Sequence, residues 1–292
     1  MKPLLPVDTT PSPFSSSISD DGFAVTAAEP WVRRKVEIVQ QYLTAFVTAV
    51  APQVDELVFI DLFSQNGLCC LGNRKEIFPG VPLMALQQDL PITKYVFCES
   101  DAEQFRVLKI RINKYFKEKN AILLNGRPED LLEKIKMYIP KSRRDHKVAV
   151  FCVADSFGLE PDFDVIQDLK DNNFTFLIPV TFHLGNKINY SFYLRNEREK
   201  LKKFIWVDKD IETLKREISN NETFYKRVIQ IYESHAQQLG MNTAVSTQKI
   251  DSGLMEVPTY SICLFSKKYS AKAIQVDALA GSNIQFALFN QN

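Results

Sequence analysis

Three short apolar runs between residues 57 and 155 each end in an acidic residue, at Asp61, Glu99 and Asp155. Runs of this length and composition are typical of buried parallel strands. Segments in which apolar residues recur at helical spacing lie between them. This alternation predicts an α/β fold built on a doubly wound, mostly parallel sheet with helices on both faces.

The same patterns predict the individual elements. Strands are expected at 57–62, 94–99, 121–125, 148–154 and 174–182. Helices are expected at 31–50, 83–89, 101–119, 128–138, 162–170, 191–203 and 208–239. A C-terminal antiparallel hairpin is expected from 243–250 and 259–265, and the tail from Ile274 is a candidate for one more strand.

Two local features qualify this outline. Gly, Pro and charged residues cluster in 68–82, which predicts a long loop at the strand edge. Pro179 has no amide hydrogen, so the fifth strand is not expected to be fully paired to its end.

Composition predicts one folded domain behind a tail. Residues 1–24 are rich in Pro and Ser and predict a flexible N-terminal tail, whereas 25–292 are expected to form a single domain. The net charge of +1 gives no global field for nucleic acid or membrane. No apolar stretch reaches the ~18 residues that span a bilayer, and no signal-peptide pattern is present.

The five cysteines are odd in number, and Cys98 and Cys152 fall inside predicted strands. This pattern favours reduced, buried thiols in a cytoplasmic protein. No cysteine or histidine spacing matches a zinc site, so no metal is expected.

The acids at the strand ends are the main candidates for chemistry. Ligands of open α/β sheets bind outside the carboxyl ends of the strands, where the strand order switches. A nucleoside-type site for S-adenosylmethionine is therefore the leading hypothesis. In it, Glu99 accepts hydrogen bonds from the ribose hydroxyls, Gly67 lets the backbone approach the ligand, and Asp61 and Phe63 lie near the methionine end. The alternative for Glu99 is a helix N-terminal acid, and for Asp61 a brace of the loop.

Four further residues are candidates for the same edge. Asn125 is predicted to contact adenine, although Asn-Gly is also an ordinary turn. Asp155 is predicted to lie between cofactor and substrate, where it orients the nucleophile or accepts a proton. His183 is a candidate general base, with a hydrogen-bonded loop histidine as the alternative. Phe157 is a candidate for stacking on a flat substrate, although a core aromatic is the more usual role.

The order of these segments resembles the three-Cys-motif partner family, bacterial proteins with a methyltransferase-like fold. The resemblance spans about residues 30 to 270. It is carried by the segments Trp31–Leu43, Asp61–Gly67, Gly80–Leu86, Glu99–Asp101, Asp155–Gly158 and Pro258–Lys267. It implies a Rossmann-like fold of the class I methyltransferase type, S-adenosylmethionine as cofactor, and a cysteine-motif protein as partner.

The chain also departs from that family pattern. Gln65 stands where the family has the first glycine of Gly-x-Gly, and Ser156 stands where it has proline. Asp155 to Gly158 lacks both prolines of the motif used for base amino groups, which argues against that chemistry. Two hypotheses follow: an S-adenosylmethionine-dependent methyltransferase with nucleic acid as the substrate class, or a methyltransferase-fold partner protein without that catalysis, binding another protein or nucleic acid.

Overall fold

The computed structural model describes residues 20–72, 76–170, 173–185, 188–206, 214, 216–250 and 259–289, with side chains described to residue 280. The strands are β1 Thr26–Ala27, β2 Glu56–Asp61, β3 Leu68–Leu71, β4 Glu76–Pro79, β5 Lys94–Glu99, β6 Ala121–Asn125, β7 Val148–Val153, β8 Phe174–Val180, β9 Asn242–Lys249 and β10 Thr259–Ser266. The helices are α1 Pro30–Val50, α2 Val81–Gln87, α3 Ala102–Tyr115, α4 Pro128–Tyr138, α5 Phe163–Leu169, α6 Tyr190–Arg195, α7 Arg198–Ile205, α8 Asn221–Gln238 and α9 Ala271–Phe289.

Seven strands form the main sheet, in the order β6-β5-β2-β7-β8-β10-β9. The strands from β6 to β8 pair in parallel, whereas β10 is antiparallel to both β8 and β9. The predicted fold class is confirmed: a doubly wound, Rossmann-like sheet of the class I methyltransferase type with a C-terminal antiparallel hairpin. The chain leaves β2 toward β5 on one side and returns to β7 on the other, so the strand order switches beside β2.

The sheet is buried on both faces because its central strands are apolar at nearly every position. Along β2, Val58 and Ile60 belong to the core formed with α4, α5, α7 and α8, whereas Leu57 and Phe59 belong to the core formed with α1, α2 and α3. Alternating side chains of one strand point to opposite faces, which explains this division. Every residue of β7 is buried.

The predicted strands at 57–62, 94–99, 121–125 and 148–154 are confirmed to within one residue at each end. The fifth strand pairs with β7 only from Phe174 to Leu177, while Pro179 lies opposite Ile262 of β10. The strand is therefore unpaired with β7 at Pro179, as expected, but its pairing with β10 continues through Pro179 to Val180. Pairing on the β7 side ends before the proline, whose nitrogen has no hydrogen to donate.

Three predicted elements were wrong. The long loop at 68–82 contains β3 and β4, which form a small sheet with β1. The tail from Ile274 is part of helix α9, not a strand. The helix predicted at 191–203 is two helices, α6 and α7, separated at Asn196 and Glu197.

The predicted helix at 208–239 corresponds to α8, which begins at Asn221. The Asn220 side chain accepts from the Thr223 amide, and Thr223 closes a capping box. Residues 207–213 and 1–19 lie outside the described residues. Among the described helices, none has both the length and the apolar character needed to cross a membrane.

Candidate functional site

The three acids predicted from the strand ends lie at the same edge of the sheet. Asp61 is the last residue of β2, Glu99 is the last residue of β5, and Asp155 follows β7 by two residues. Because β2 pairs with both β5 and β7, Asp61 lies between the other two. All three are buried, with exposed fractions of 0% for Asp61, 7% for Glu99 and 9% for Asp155.

A cavity of about 50 Å³ opens at the switch point of the strand order. The loop that follows β2 forms one wall, with Phe63, Gln65 and Gly67, and Asp155 forms another. Helix α1 closes it with Lys35. Asp61 has no exposed surface and does not line this cavity.

The charges in this cavity belong to a buried ion pair between Lys35 and Asp155. The Lys35 Nζ donates to Asp155 Oδ1 at 2.6 Å, and both side chains are less than a tenth exposed. The ammonium also lies 5.4 Å from the ring centroid of Trp31. Opposite charges this close in a buried site attract strongly, but both lose their hydration.

Sequence reasoning missed Lys35, although a signal was present. Val32, Val39 and Tyr42 lie three, four and seven positions from Lys35, so the lysine falls on the apolar stripe of α1. A charge on such a stripe needs a buried partner, and here the partner is 120 residues away in the sequence.

Glu99 braces the backbone of the loop. Its Oε2 accepts from the Gln65 amide and its Oε1 from the Asp101 amide, both at 2.7 Å. Gln65 has a φ of 52°, a left-handed conformation that is uncommon outside glycine. A carboxylate offers about four lone-pair sites, so each oxygen of Glu99 keeps one more acceptor position.

Gly67 is required by packing as well as by backbone conformation. Its φ is +85°, and a Cβ at this position would lie 2.9 Å from Leu108 Cδ1 and 2.9 Å from Leu83 Cγ. At Gly158 a Cβ would meet no atom within 4 Å.

We expect Gly67→Ala to lower the free energy of unfolding by about 2–4 kcal/mol, because left-handed strain adds to the overpacking. The measurement is urea unfolding followed by circular dichroism, with Gly158→Ala as the matched control, expected to change by less than about 1 kcal/mol. Equal effects of the two substitutions would contradict the assigned role of Gly67.

Asp61 is a fully buried carboxyl beneath the loop. Its Oδ1 accepts from the Phe63 amide at 3.1 Å, while its Oδ2 has no hydrogen-bond partner among the described residues. Burial raises the pKa of Asp61 to about 8, and the nearby Asp155 and Glu99 carboxylates add to the increase. Asp61 is therefore largely a neutral acid at pH 7, in the position of a loop brace.

The other predicted residues have different surroundings. The Asn125 amide nitrogen donates to the main-chain oxygen of Glu99 at 2.8 Å, so it braces the end of β5. His183 is not among the described residues that line the cavity, and its main-chain oxygen accepts from the Tyr193 hydroxyl. Phe157 is 57% exposed, with its ring centroid 6.3 Å from that of Trp31, so its assignment as a core aromatic was wrong.

A second buried ion pair, also missed from the sequence, lies behind the loop. Arg111 of α3 is fully buried and donates to both carboxylate oxygens of Asp21, at 2.8 and 2.9 Å. It also donates to the main-chain oxygen of Asn66 at 2.7 Å and to its Oδ1 at 2.9 Å. The Arg111 guanidinium holds the pKa of Asp21 below its ordinary value. Asp21, assigned to the flexible tail, is therefore anchored in the folded domain.

Four of the seven residues from Lys141 to Lys147 are lysine or arginine, and this basic segment immediately precedes β7. It therefore lies at the amino edge of the parallel strands, opposite the edge that carries Asp61, Glu99 and Asp155.

No protein-family model matches the sequence, and a search of curated proteins finds no match. Solved structures do share its architecture. The Legionella pneumophila protein LPL1258 is 9% identical with a TM-score of 0.49, over 84% of this chain and 91% of that one. A Bacillus cereus O-methyltransferase in complex with S-adenosylhomocysteine is 8% identical with a TM-score of 0.43, over 84% and 85%. The methyltransferase domain of the bacterial protein CtHen1-CN is 14% identical with a TM-score of 0.35, over 78% and 99%.

At identities and TM-scores this low, the activity of those proteins cannot be transferred to this chain. The resemblance to the three-Cys-motif partner family therefore stays a prediction carried by the residues alone, and the chain's own strand order defines its fold as the class I methyltransferase type.

Proposed function

We propose that this protein is an S-adenosylmethionine-dependent methyltransferase that binds its cofactor at the switch point beside β2. The observation that carries the proposal is the cavity between the β2 loop and Asp155, at the position where open α/β sheets bind their ligands.

The charges of the cavity suit the amino-acid end of the cofactor. That end carries a carboxylate and an ammonium, and the cavity offers an ammonium on Lys35 and a carboxylate on Asp155. In the proposed complex the two protein charges separate and each takes the opposite charge of the ligand. Charge-assisted hydrogen bonds of this kind are about twice as strong as neutral ones.

The ribose is assigned to Glu99. Glu99 is buried behind Gln65 and does not line the closed cavity. Two backbone amides occupy one lone pair on each of its carboxylate oxygens, and in the proposed complex the remaining lone pairs become accessible to the ribose diol when the site opens. Asn125 holds the end of β5 and so fixes the direction of Glu99. Asp61 acts from beneath the loop through the Phe63 amide.

Binding requires the site to open. The cavity of about 50 Å³ is well below the ~300 Å³ at which ligand pockets begin, so α1 and the β2 loop must move apart. Separation of Lys35 from Asp155 is part of the same movement.

The bound cofactor supplies an electrophilic methyl group on a sulfonium. One carboxylate oxygen of Asp155 would then meet the cofactor ammonium, and the other would face the substrate, where it orients a nucleophile or accepts its proton. Phe157 presents an exposed ring beside it, on which a flat substrate stacks. A nucleic-acid base is the substrate class we assign, and His183 remains a candidate general base.

The buried free cysteines fit a cytoplasmic location.

One observation favours a second function, that of a methyltransferase-fold protein that binds a cysteine-motif partner without catalysis. Lys35 and Asp155 satisfy each other's charge, and Gln65 carries a side chain on the cavity wall. A site closed in this way needs no cofactor to be stable.

Calorimetric titration with S-adenosylhomocysteine separates the two functions. We expect micromolar binding by the parent protein and at least tenfold weaker binding by Glu99→Gln, because an amide cannot accept at both of its terminal atoms. Glu103→Gln is the matched control, since Glu103 is exposed, pairs with Arg106, and lies in the first turn of α3, the helix that follows Glu99. Absence of binding by the parent protein would favour the partner function, and equal binding by Glu99→Gln would overturn the ribose assignment.

A further inference from the structure

We infer that residues 20–28, called the arm below, are a working part of the proposed cofactor site, and that Arg111 is the positioning residue through which the arm fixes the β2 loop. The inference concerns how the loop is held, and it rests on the proposed function only for the ligand that the loop serves.

The arm reaches the loop by three independent routes. Asp21 receives two hydrogen bonds from Arg111, whose remaining nitrogen donates to both oxygens of Asn66. The Asn66 Nδ2 donates to Thr26 Oγ1 at 3.0 Å. Strand β1 pairs in parallel with β3, which begins directly after Gly67.

Asn66 is the residue on which the first two of these routes meet. It stands between Gln65 and Gly67, both of which line the cavity. Its Oδ1 accepts from the Leu68 amide as well as from Arg111, so the side chain is held on both sides. A non-glycine residue such as Gln65 seldom adopts a left-handed backbone unless its surroundings hold it there. The contacts of the neighbouring Asn66 help to hold the loop in this conformation.

Arg111 orients the β2 loop in addition to stabilising the fold. The guanidinium is fully buried, and its bidentate geometry toward Asp21 fixes its orientation. With the guanidinium fixed in this way, its remaining nitrogen Nη1 points at the main-chain oxygen of Asn66. Loss of the Asp21 charge leaves Arg111 free to turn and releases Asn66.

Amide hydrogen exchange in the protein without ligand tests the holding role directly. The variants are Asp21→Asn, which removes the charge with little change in shape, and Thr26→Val, which removes the acceptor of Asn66. We expect exchange in 64–68 to be at least tenfold faster in both variants.

The control is Val228→Ala in α8, a buried substitution in the core on the opposite face of the sheet from Val25 and Ala28 of the arm, expected to lower thermal stability but leave exchange in 64–68 unchanged. Leu62 and Phe63 are left out of this comparison because they pack in the same core as Val228.

Unchanged exchange in both arm variants, or equal acceleration in Val228→Ala, would overturn the inference. Titration with S-adenosylhomocysteine then links the arm to the ligand: parent-like affinity in Val228→Ala and at least tenfold weaker affinity in Asp21→Asn are expected, with recovery in Asp21→Glu. If the parent protein binds but Asp21→Asn binds equally well, the arm has no part in the site. If the parent protein does not bind, the proposed function fails, and the exchange experiment alone decides the role of the arm.

Discussion

Lys35→Met is expected to lower the free energy of unfolding by about 3–5 kcal/mol, because it leaves the Asp155 carboxylate buried without its partner. Asp155→Asn should cost a similar amount by leaving the Lys35 ammonium unpaired. The double variant is expected to lose less than the sum of the two, since it buries neither charge. Urea unfolding of the four proteins at pH 7 gives the coupling between the residues.

An exposed ion pair provides the comparison. Lys226 and Glu222 are one turn apart on α8, and both side chains are 67% exposed. Lys226→Met should change stability by less than about 1 kcal/mol, because water screens such pairs. A loss below 1 kcal/mol in Lys35→Met as well would mean that the cavity is open and hydrated in solution.

Asp61→Asn is expected to remove a pH dependence of stability. The folded protein holds a proton on Asp61 up to about pH 8, whereas the unfolded chain releases it near 3.8. Between these values the folded state binds one more proton, so this group makes the parent less stable as pH rises, by up to about 1.4 kcal/mol per pH unit. Above pH 8 its contribution no longer changes.

The measurement compares Asp61→Asn with the parent by urea unfolding from pH 5 to 8. The contributions of titrating groups common to both proteins cancel in the difference between their free energies of unfolding. This difference should shift in favour of the variant by several kcal/mol from pH 5 to pH 8. Asp130→Asn is the control, since Asp130 is exposed, and its difference from the parent should stay within about 1 kcal/mol. A difference for Asp61→Asn that is constant with pH would show that Asp61 is ionised throughout.

The fold was predictable because the central strands carry an unbroken apolar signal. Strands such as β7 are buried on both faces, so every position is apolar and the segment stands out from its surroundings. The hairpin of β3 and β4 gives no such signal, since each strand has four residues and pairs beside turns and prolines. The tail beyond Ile274 was misassigned because the spacing of its apolar residues fits both the two-residue period of a strand and the 3.6-residue period of a helix.

The candidate site was predictable only where its residues end a strand. The meeting of Asp61, Glu99 and Asp155 at one edge was predictable because parallel strands bring their carboxyl ends together. Their contacts were not found, because Lys35 comes from a helix 120 residues before Asp155 and Arg111 lies 90 residues after Asp21. Pairings at such separations are set by the packing of whole helices on the sheet and leave no local pattern.

The contact between Asp21 and Arg111 also sets an order of events during synthesis. Chains emerge from the ribosome from the N-terminus, and structure forms as its partners become available. The arm is translated before β2, yet its pairing strand ends at Leu71 and its anchoring guanidinium lies in the middle of α3. The arm is therefore fixed later than its place in the chain suggests, and the contacts of Arg111 with the β2 loop form only after the nascent chain has passed residue 111.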